Sequence, residues 1–241
     1  MTPDQFDEYM RLRAQYEGSA AFWLGRTIDR LDNTWALVEG NAEDLAASAA
    51  AISSSKDPRL FTLDDVGQRP HLREPRLKVI RCIHNYLATS TAAVEYTKSL
   101  SRQADKRVPG TGERHKTRLA TLDDFVPHAL AVVLRNQFLH ASHAYITVTM
   151  RFEPIRYEVS LNLTESKKEI DQSRLSAKQA IALRNSPDNL ALETFHVVHR
   201  ESVAILMQAF RDDLGQSVNA ELDNTADLRR RIRGFEQLGP S

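Results

Sequence analysis

The chain has a single cysteine, Cys82, so it can form neither an internal disulfide nor a cysteine-rich zinc site. Cys82 falls within an apolar helical pattern, and we interpret it as a small buried hydrophobic residue. With 241 residues, the chain is nevertheless long enough to bury a sizeable hydrophobic core.

Segments that would enter or cross a membrane are also missing from the sequence. A membrane-spanning helix needs a run of about 18 uncharged apolar residues, and no such run occurs. The first residues, Met1–Asp4, carry neither the basic nor the apolar region of a signal peptide. We therefore expect a cytoplasmic protein with no membrane partner.

An excess of charge of either sign is absent too. The 32 basic and 32 acidic residues give a formal net charge of +0, which argues against a surface uniformly adapted to nucleic acid. A local basic patch remains compatible with this balance. The patterns G-x-x-x-x-G-K-[ST], G-x-G-x-x-G and G-x-S-x-G do not occur, so a nucleotide cradle and a nucleophile elbow have no sequence support.

Helical periodicity dominates what the sequence does contain. Apolar residues recur at spacings of three and four along several long segments, and Thr2-Pro3 is a typical helix start. We predict that Asn41 caps a short alanine-rich helix, that residues 56–71 form a loop and that Pro75 opens the next long helix. The predicted helices cover approximately residues 3–39, 41–55, 75–107, 122–140, 173–185 and 186–222. A bend near Gly18 or Gly25 is an alternative to a straight first helix.

The spacing of apolar residues changes between about residues 145 and 163, where apolar and polar residues alternate. Two matched runs flank Glu153-Pro154 and predict a β-hairpin with strands at about 145–153 and 155–163. A two-stranded hairpin is marginal alone, so its apolar face should pack on the helices. That face includes Ile146, Val148, Tyr157 and Val159.

These patterns together predict a mainly α fold, a helical bundle with one inserted antiparallel β-hairpin. We expect residues 1–225 to form a single domain that contains the hairpin at about 145–163. Residues 226–241 are expected to form a charged C-terminal tail.

The segment with the clearest chemistry is Leu134-Arg135-Asn136-Gln137-Phe138-Leu139-His140, at the end of a predicted helix. Asn136 and His140 are four residues apart and lie on one helix face, and the long side chain of Arg135 reaches the same rim. Histidine serves as an acid or a base near neutral pH, and arginine offers planar paired donors to phosphate. The competing interpretation is a capped helix end with a surface arginine and a half-buried histidine.

The pattern R-N-x-x-x-H near a helix end, inside a chain of long helices, resembles the HEPN families over about residues 70–145. Many HEPN proteins are metal-independent endoribonucleases of toxin–antitoxin, abortive-infection and other defence systems. The resemblance implies a HEPN-like bundle, RNA as substrate, and cleavage through the ribose 2′-hydroxyl without a cofactor or metal. It also implies a homodimer that joins two motifs in one cleft, and an antitoxin or defence-system protein as a further partner.

In that mechanism His140 is the acid or base, Arg135 the phosphate clamp and Asn136 the orienting amide. One alternative is a HEPN-like module that binds RNA or a protein and never cleaves. Another is a helical scaffold in which the motif arose by chance. His143 and Tyr145 lie just past the motif and are candidates for lining the same cleft, although we favour packing within the hairpin for them.

A basic segment precedes the motif. Residues 98–118 hold seven basic residues against two acidic ones, around a Pro109-Gly110 break. A flexible basic loop beside a phosphate-cleaving site would guide RNA, and a merely solvated loop is the equal alternative. The candidate RNA-binding residues are Arg102, Lys106, Arg107, Arg114, Lys116 and Arg118.

One further pattern, Glu193-x-x-His196-x-x-His199, was tested as a metal site. Glu-x-x-His on a helix is half of a di-iron signature, but no second copy occurs in the sequence. His199 also lies on the apolar stripe of its helix. We therefore predict a hydrogen-bonded core histidine and no metal site.

Overall fold

The computed structural model describes residues 1–55, 70–107, 109–123, 125–140, 146–152, 155–170 and 174–237. Within these residues the protein is mainly helical with one antiparallel sheet, as the sequence predicts. The elements in chain order are α1 (Pro3–Glu17), α2 (Ala20–Ser53), α3 (Pro70–Asp105), α4 (Thr111–Asp123), α5 (Val126–His140), β1 (Ile146–Phe152), β2 (Ile155–Asn162), α6 (Thr164–Glu169), α7 (Ala177–Asn185), β3 (Asn189–Ala191), α8 (Leu192–Asn224) and α9 (Ala226–Glu236).

The first predicted helix is two helices. Thr2 caps α1 through a reciprocal capping box with Gln5, as its sequence indicates. The helix does not continue to residue 39, because Ser19 interrupts it. The Ser19 hydroxyl donates to the carbonyl of Tyr16 at 2.6 Å and accepts from the N–H of Phe22 at 3.3 Å. One side chain thus closes α1 and caps the start of α2.

The prediction of a separate alanine-rich helix was also wrong, because α2 continues through those residues to Ser53. Asn41 is not a cap. Its side-chain amide donates to the carbonyl of Leu37 at 2.9 Å inside the continuous helix. Alanine has the highest intrinsic helix propensity, so the alanines that follow extend the helix.

Helix α3 begins at Pro70 rather than Pro75, which lies inside the helix close to its start. A proline there removes one intrahelical hydrogen bond but does not prevent the helix from forming. Residues 56–69, most of the predicted loop, lie outside the described residues. The helix ends at Asp105, near the predicted end at residue 107.

Helix α4 was missed, because its start follows a Pro-Gly pair in a segment predicted as a flexible loop. Asp105 folds this turn back: its Oδ1 accepts from the N–H of Gly110 at 2.9 Å and from that of Gly112 at 3.1 Å. Gly110 has a φ of +87°, a backbone conformation that glycine adopts without strain. The next predicted helix, α5, begins at Val126 instead of about residue 122, and Pro127 lies in its first turn.

The predicted hairpin is confirmed. Strands β1 and β2 pair antiparallel, with Ile146 opposite Leu161 and Val148 opposite Val159. Ile146, Tyr157 and Val159 are buried on the predicted apolar face. The alternation of apolar and polar residues therefore specified both the strands and the face that packs inward.

A third strand was missed. β3 pairs antiparallel with β2, placing Leu190 opposite Leu161. The prediction that the last long helix starts at Ser186-Pro187 was wrong, because Ser186 is the C-cap of α7 and α8 begins only at Leu192. Three strand residues are too few to display a period of two in the sequence.

Contacts divide the chain into two compact units, each made of segments distant in sequence. Unit 1 comprises Met1–Asn33, Tyr96–Thr117 and Met207–Ser241. Unit 2 comprises Thr34–Glu95 and Arg118–Leu206. That residues 1–225 form a single domain stays a prediction.

In unit 1, α9 packs on α1. Helix α9 occupies most of residues 226–241, the segment that was predicted as a charged tail. Tyr9 and Phe235 meet edge to face with ring centroids 6.4 Å apart, and Leu12 and Ile232 are buried. In unit 2, α5 packs on α7. No helix within the described residues combines the length and apolar character needed to cross a membrane.

Candidate functional site

The predicted motif lies on the second half of α5, in unit 2. Leu130, Val133 and Leu134 are buried, at 2%, 1% and 2% exposure, and they anchor the helix. Arg135 is partly exposed and Asn136 is exposed. The packing of α5 therefore leaves the two polar side chains of the motif within reach of solvent.

The side chains of Arg135 and Asn136 interact only weakly with each other. A guanidinium nitrogen of Arg135 is 3.5 Å from the Oδ1 of Asn136, which is a long hydrogen bond. The buried Nε of Arg135 has no hydrogen-bond partner in the described part of the chain, and no carboxylate there forms an ion pair with this arginine. The guanidinium thus keeps donors available for an anion.

The remaining motif residues can be placed only in part. His140 is the last residue of α5, and its side chain lies outside the described residues. His143 and Tyr145, the predicted cleft-lining residues, fall in residues 141–145 and also lie outside them. The structure therefore brings Arg135 and Asn136 together and describes no contact of the other three.

The six candidate RNA-binding residues are not on a flexible loop. Arg102 lies on α3, Lys106 and Arg107 lie in the turn after it, and Arg114, Lys116 and Arg118 lie on α4. Only Arg118 belongs to the unit that contains Arg135; the other five belong to unit 1.

Three of these six cations already have partners within unit 1. The Arg107 guanidinium lies 4.8 Å above the centroid of the Trp23 ring, in a cation–π contact. Arg114 lies 3.5 Å from the carboxylate of Asp213. Lys116 lies 3.5 Å from that of Glu113, but both side chains are exposed and such a pair contributes little.

A second polar cluster, deep in unit 2, is far better connected. The Tyr86 hydroxyl is 2.8 Å from Nδ1 of His199, and Nε2 of His199 is 3.2 Å from Nδ1 of His128. Tyr86, His199 and His128 are 0%, 0% and 3% exposed. The prediction that His199 is a hydrogen-bonded core histidine is confirmed.

The two imidazoles meet head-on. Their planes differ by 14° and their centroids are 5.5 Å apart, a separation that equals the nitrogen–nitrogen distance plus about two ring radii. In such a pair one nitrogen carries the proton and the other accepts it. Nitrogens that face each other in this way are not arranged to share a metal ion.

Burial disfavours the charged forms of Tyr86 and His199. Desolvation, and secondarily the nearby His128, lowers the pKa of His199 to about 3. Desolvation also raises the pKa of the Tyr86 hydroxyl far above its ordinary value. The cluster can hold and order protons, but no ligand reaches it from solvent.

The Glu193, His196 and His199 pattern does not form a ligand set. Glu193 is exposed, and Nδ1 of His196 lies 3.1 Å from the carbonyl of Leu192. Across the described residues, no group of three or more His, Cys, Asp or Glu side chains is arranged to hold a metal ion. Cys82 is partly rather than fully buried, with its Sγ 3.3 Å from the Ser48 hydroxyl.

Sequence reasoning missed the partners of His199. On α3, Tyr86 is fully buried although no sequence pattern had singled it out. The available signal for His128 was its spacing of three residues from Ala131, which is buried on α5.

No family model, curated protein or solved structure matches the chain.

Proposed function

We propose that the protein is a metal-independent endoribonuclease of the HEPN type that acts as a toxin or defence effector. The observation that carries the proposal is the R-N-x-x-x-H segment at the end of α5. Its arginine is partly exposed and has no carboxylate partner among the described residues. A buried, hydrogen-bonded α5 supplies the rigid support that a catalytic group needs.

The proposed reaction is transesterification at phosphorus. The ribose 2′-hydroxyl loses its proton as it attacks, the bond to the 5′-oxygen breaks, and that oxygen gains a proton. His140 transfers protons, because histidine titrates near working pH. Arg135 binds the phosphoryl oxygens through its planar donors, and Asn136 orients His140 or the phosphate. The products carry 2′,3′-cyclic phosphate and 5′-hydroxyl ends.

One histidine serves poorly as both acid and base within a single turnover. We therefore propose a twofold homodimer in which two copies of the motif complete one site. Arg102 and Lys106, both exposed, are the strongest candidates for holding the RNA backbone, since Arg107 and Arg114 already have partners.

The test incubates full-length wild type, His140→Ala and His84→Ala with total RNA, with and without EDTA, and maps new 5′ ends. We expect wild type and His84→Ala, which changes a half-buried histidine outside the motif, to cleave equally in both conditions. His140→Ala should lose more than about 10²–10⁴-fold in rate, because one acid–base role is worth that much and in the homodimer the substitution removes both histidines. Light scattering on the same samples should give twice the chain mass of 27.3 kDa.

Three outcomes would overturn the proposal. Undiminished cleavage by His140→Ala would place the active site elsewhere, and cleavage that EDTA abolishes would make the mechanism metal-dependent. Full activity of a 27.3 kDa monomer would exclude the composite site. Absence of cleavage by every variant, with RNA retained in a binding assay, would make the protein a binding module.

A further inference from the structure

One surface of unit 1 combines an aromatic ring with three cations. Trp23 lies in the first turn of α2 and is partly exposed, and the guanidinium carbon of Arg107 lies 4.8 Å from the centroid of its ring. We infer that Trp23, Arg26, Lys106 and Arg107 form a binding surface for single-stranded nucleic acid, here called the Trp23 surface. The inference concerns unit 1 alone and stands whether or not the motif on α5 cleaves RNA.

Local geometry gathers the cations around the ring. Arg26 follows Trp23 by three residues on α2, and positions three apart lie on one side of a helix. Lys106 precedes Arg107 in the turn after α3, so the Trp23–Arg107 contact brings that turn to the same place. Arg26, Lys106 and Arg107 are all exposed. The ring is thus accompanied by three positive charges that water, and a ligand, can reach.

These charges are available to an anion. Within the described part of the chain, Arg26 and Lys106 form no ion pair, and Arg107 contacts a ring rather than a carboxylate. The acidic residue nearest Arg107 in sequence, Asp105, instead uses its Oδ1 to accept from the backbone N–H groups of Gly110 and Gly112. In a protein of formal net charge +0, a group of three cations without carboxylate partners is a local exception.

The combination of ring and charge favours a nucleic-acid strand as the ligand. Unpaired nucleobases stack on aromatic rings and on guanidinium planes, and both are present at the Trp23–Arg107 contact. The phosphates between successive bases need cations beside that stack, which is where Arg26 and Lys106 lie. An acidic peptide would use the charges but gain little from the ring.

Trp23 can itself report on binding. The chain contains two tryptophans, so Trp35→Phe leaves Trp23 as the one indole. The probe is a short single-stranded oligonucleotide with 2′-O-methyl riboses, which lacks the free hydroxyl that the proposed cleavage uses. We expect it to quench the fluorescence of Trp23, because a base stacks against the ring. A duplex of the same sequence, whose bases are already stacked on each other, should not quench it.

Substitutions in the full chain separate stacking from charge. Trp23→Ala should weaken binding of the probe about 5–150-fold, the usual loss for one stacked base, and Trp23→Phe should keep most of the affinity. Arg26→Ala should lower the slope of log affinity against log salt by about 0.7, the share of one phosphate contact on a single strand. Arg11→Ala, which removes an exposed arginine from α1 in the same unit, should change the slope by much less.

Several results would overturn the inference: no binding of the probe at low salt, undiminished binding by Trp23→Ala, or binding that leaves the fluorescence of Trp23 unchanged. Equal affinity for polyglutamate of the same charge would also overturn it, and would indicate a surface for acidic peptides. If Trp23→Ala does not fold, quenching in Trp35→Phe decides, because that protein keeps the Trp23 surface intact. Since the probe resists cleavage, failure here leaves the proposed nuclease untouched, and an inactive nuclease still passes.

Discussion

The two ends of α5 differ sharply although they belong to one helix and one unit. In the first turn, His128 is 3% exposed and bonded head-on to His199. Two turns later, Arg135 is partly exposed, its hydrogen bond to Asn136 is 3.5 Å long, and its Nε has no hydrogen-bond partner among the described residues.

This contrast separates structural from chemical use of polar residues. A buried polar group must be hydrogen-bonded, since leaving it unsatisfied costs about 1–3 kcal/mol. Once its bonds are made and water is excluded, it has nothing left to offer a substrate. An accessible arginine without a carboxylate partner keeps its donors, so the far end of α5 is where we expect an anion to bind.

The largest expected effect concerns Arg135. Arg135→Ala should reduce RNA cleavage about 10²–10³-fold, the usual loss when one transition-state donor is removed. Stability should change by less than about 1 kcal/mol, because no strong hydrogen bond of the described residues is broken. Cleavage rate and urea unfolding, measured on one preparation, check both expectations.

Arg135→Lys is the matched variant for charge. It should recover only part of the rate, since lysine carries the charge without the planar pair of donors. A large loss of stability in Arg135→Ala would instead mark the far end of α5 as structural, and the contrast with His128 would disappear.

The second prediction concerns stability at the buried end. His199→Ala should destabilise the protein by about 2–5 kcal/mol, because it opens a cavity and removes one hydrogen bond from each of two buried partners. Asn136→Ala, at the exposed end of α5, should lower the free energy of unfolding by less than about 0.5 kcal/mol. Urea unfolding at pH 7.5 checks both, and equal costs would refute the distinction.

The sequence predicted the elements whose pattern extends over many neighbouring residues, and it missed those that depend on contacts between distant residues. The hairpin was predicted because alternation extends over both strands, whereas β3, with three residues, is defined only by its pairing with β2. Helix α4 was missed because its start requires Asp105 to fold back onto Gly110 and Gly112, a contact that the Pro-Gly pair does not reveal.

The same holds for the candidate sites. The apolar stripe placed His199 in the core, but its partners Tyr86 and His128 are 113 and 71 residues away in the chain. Such pairings are set by tertiary packing, and no local pattern encodes them. Arg135 and Asn136 were identified from their spacing with His140, and their catalytic role stays a prediction.

The smallest expected effect lies beside the buried His199. Arg200 follows His199 in sequence but is half exposed, and it forms a two-pronged ion pair with Glu39, with Nε 2.7 Å from Oε1. A double-mutant cycle of Arg200→Ala and Glu39→Ala should give a coupling energy of about 0.2–1 kcal/mol, because water screens a pair at this exposure.

Added salt separates the two kinds of contact within this one turn of α8. Screening shortens to about 3 Å at 1 M ionic strength, so the coupling between Arg200 and Glu39 should fall when the cycle is repeated there. The cost of His199→Ala should not fall, because its hydrogen bonds are shielded from water and from added ions. A salt-insensitive coupling above about 2 kcal/mol would show that this pair is as dry as the histidine chain. Burial would then no longer be what distinguishes neighbouring residues of α8.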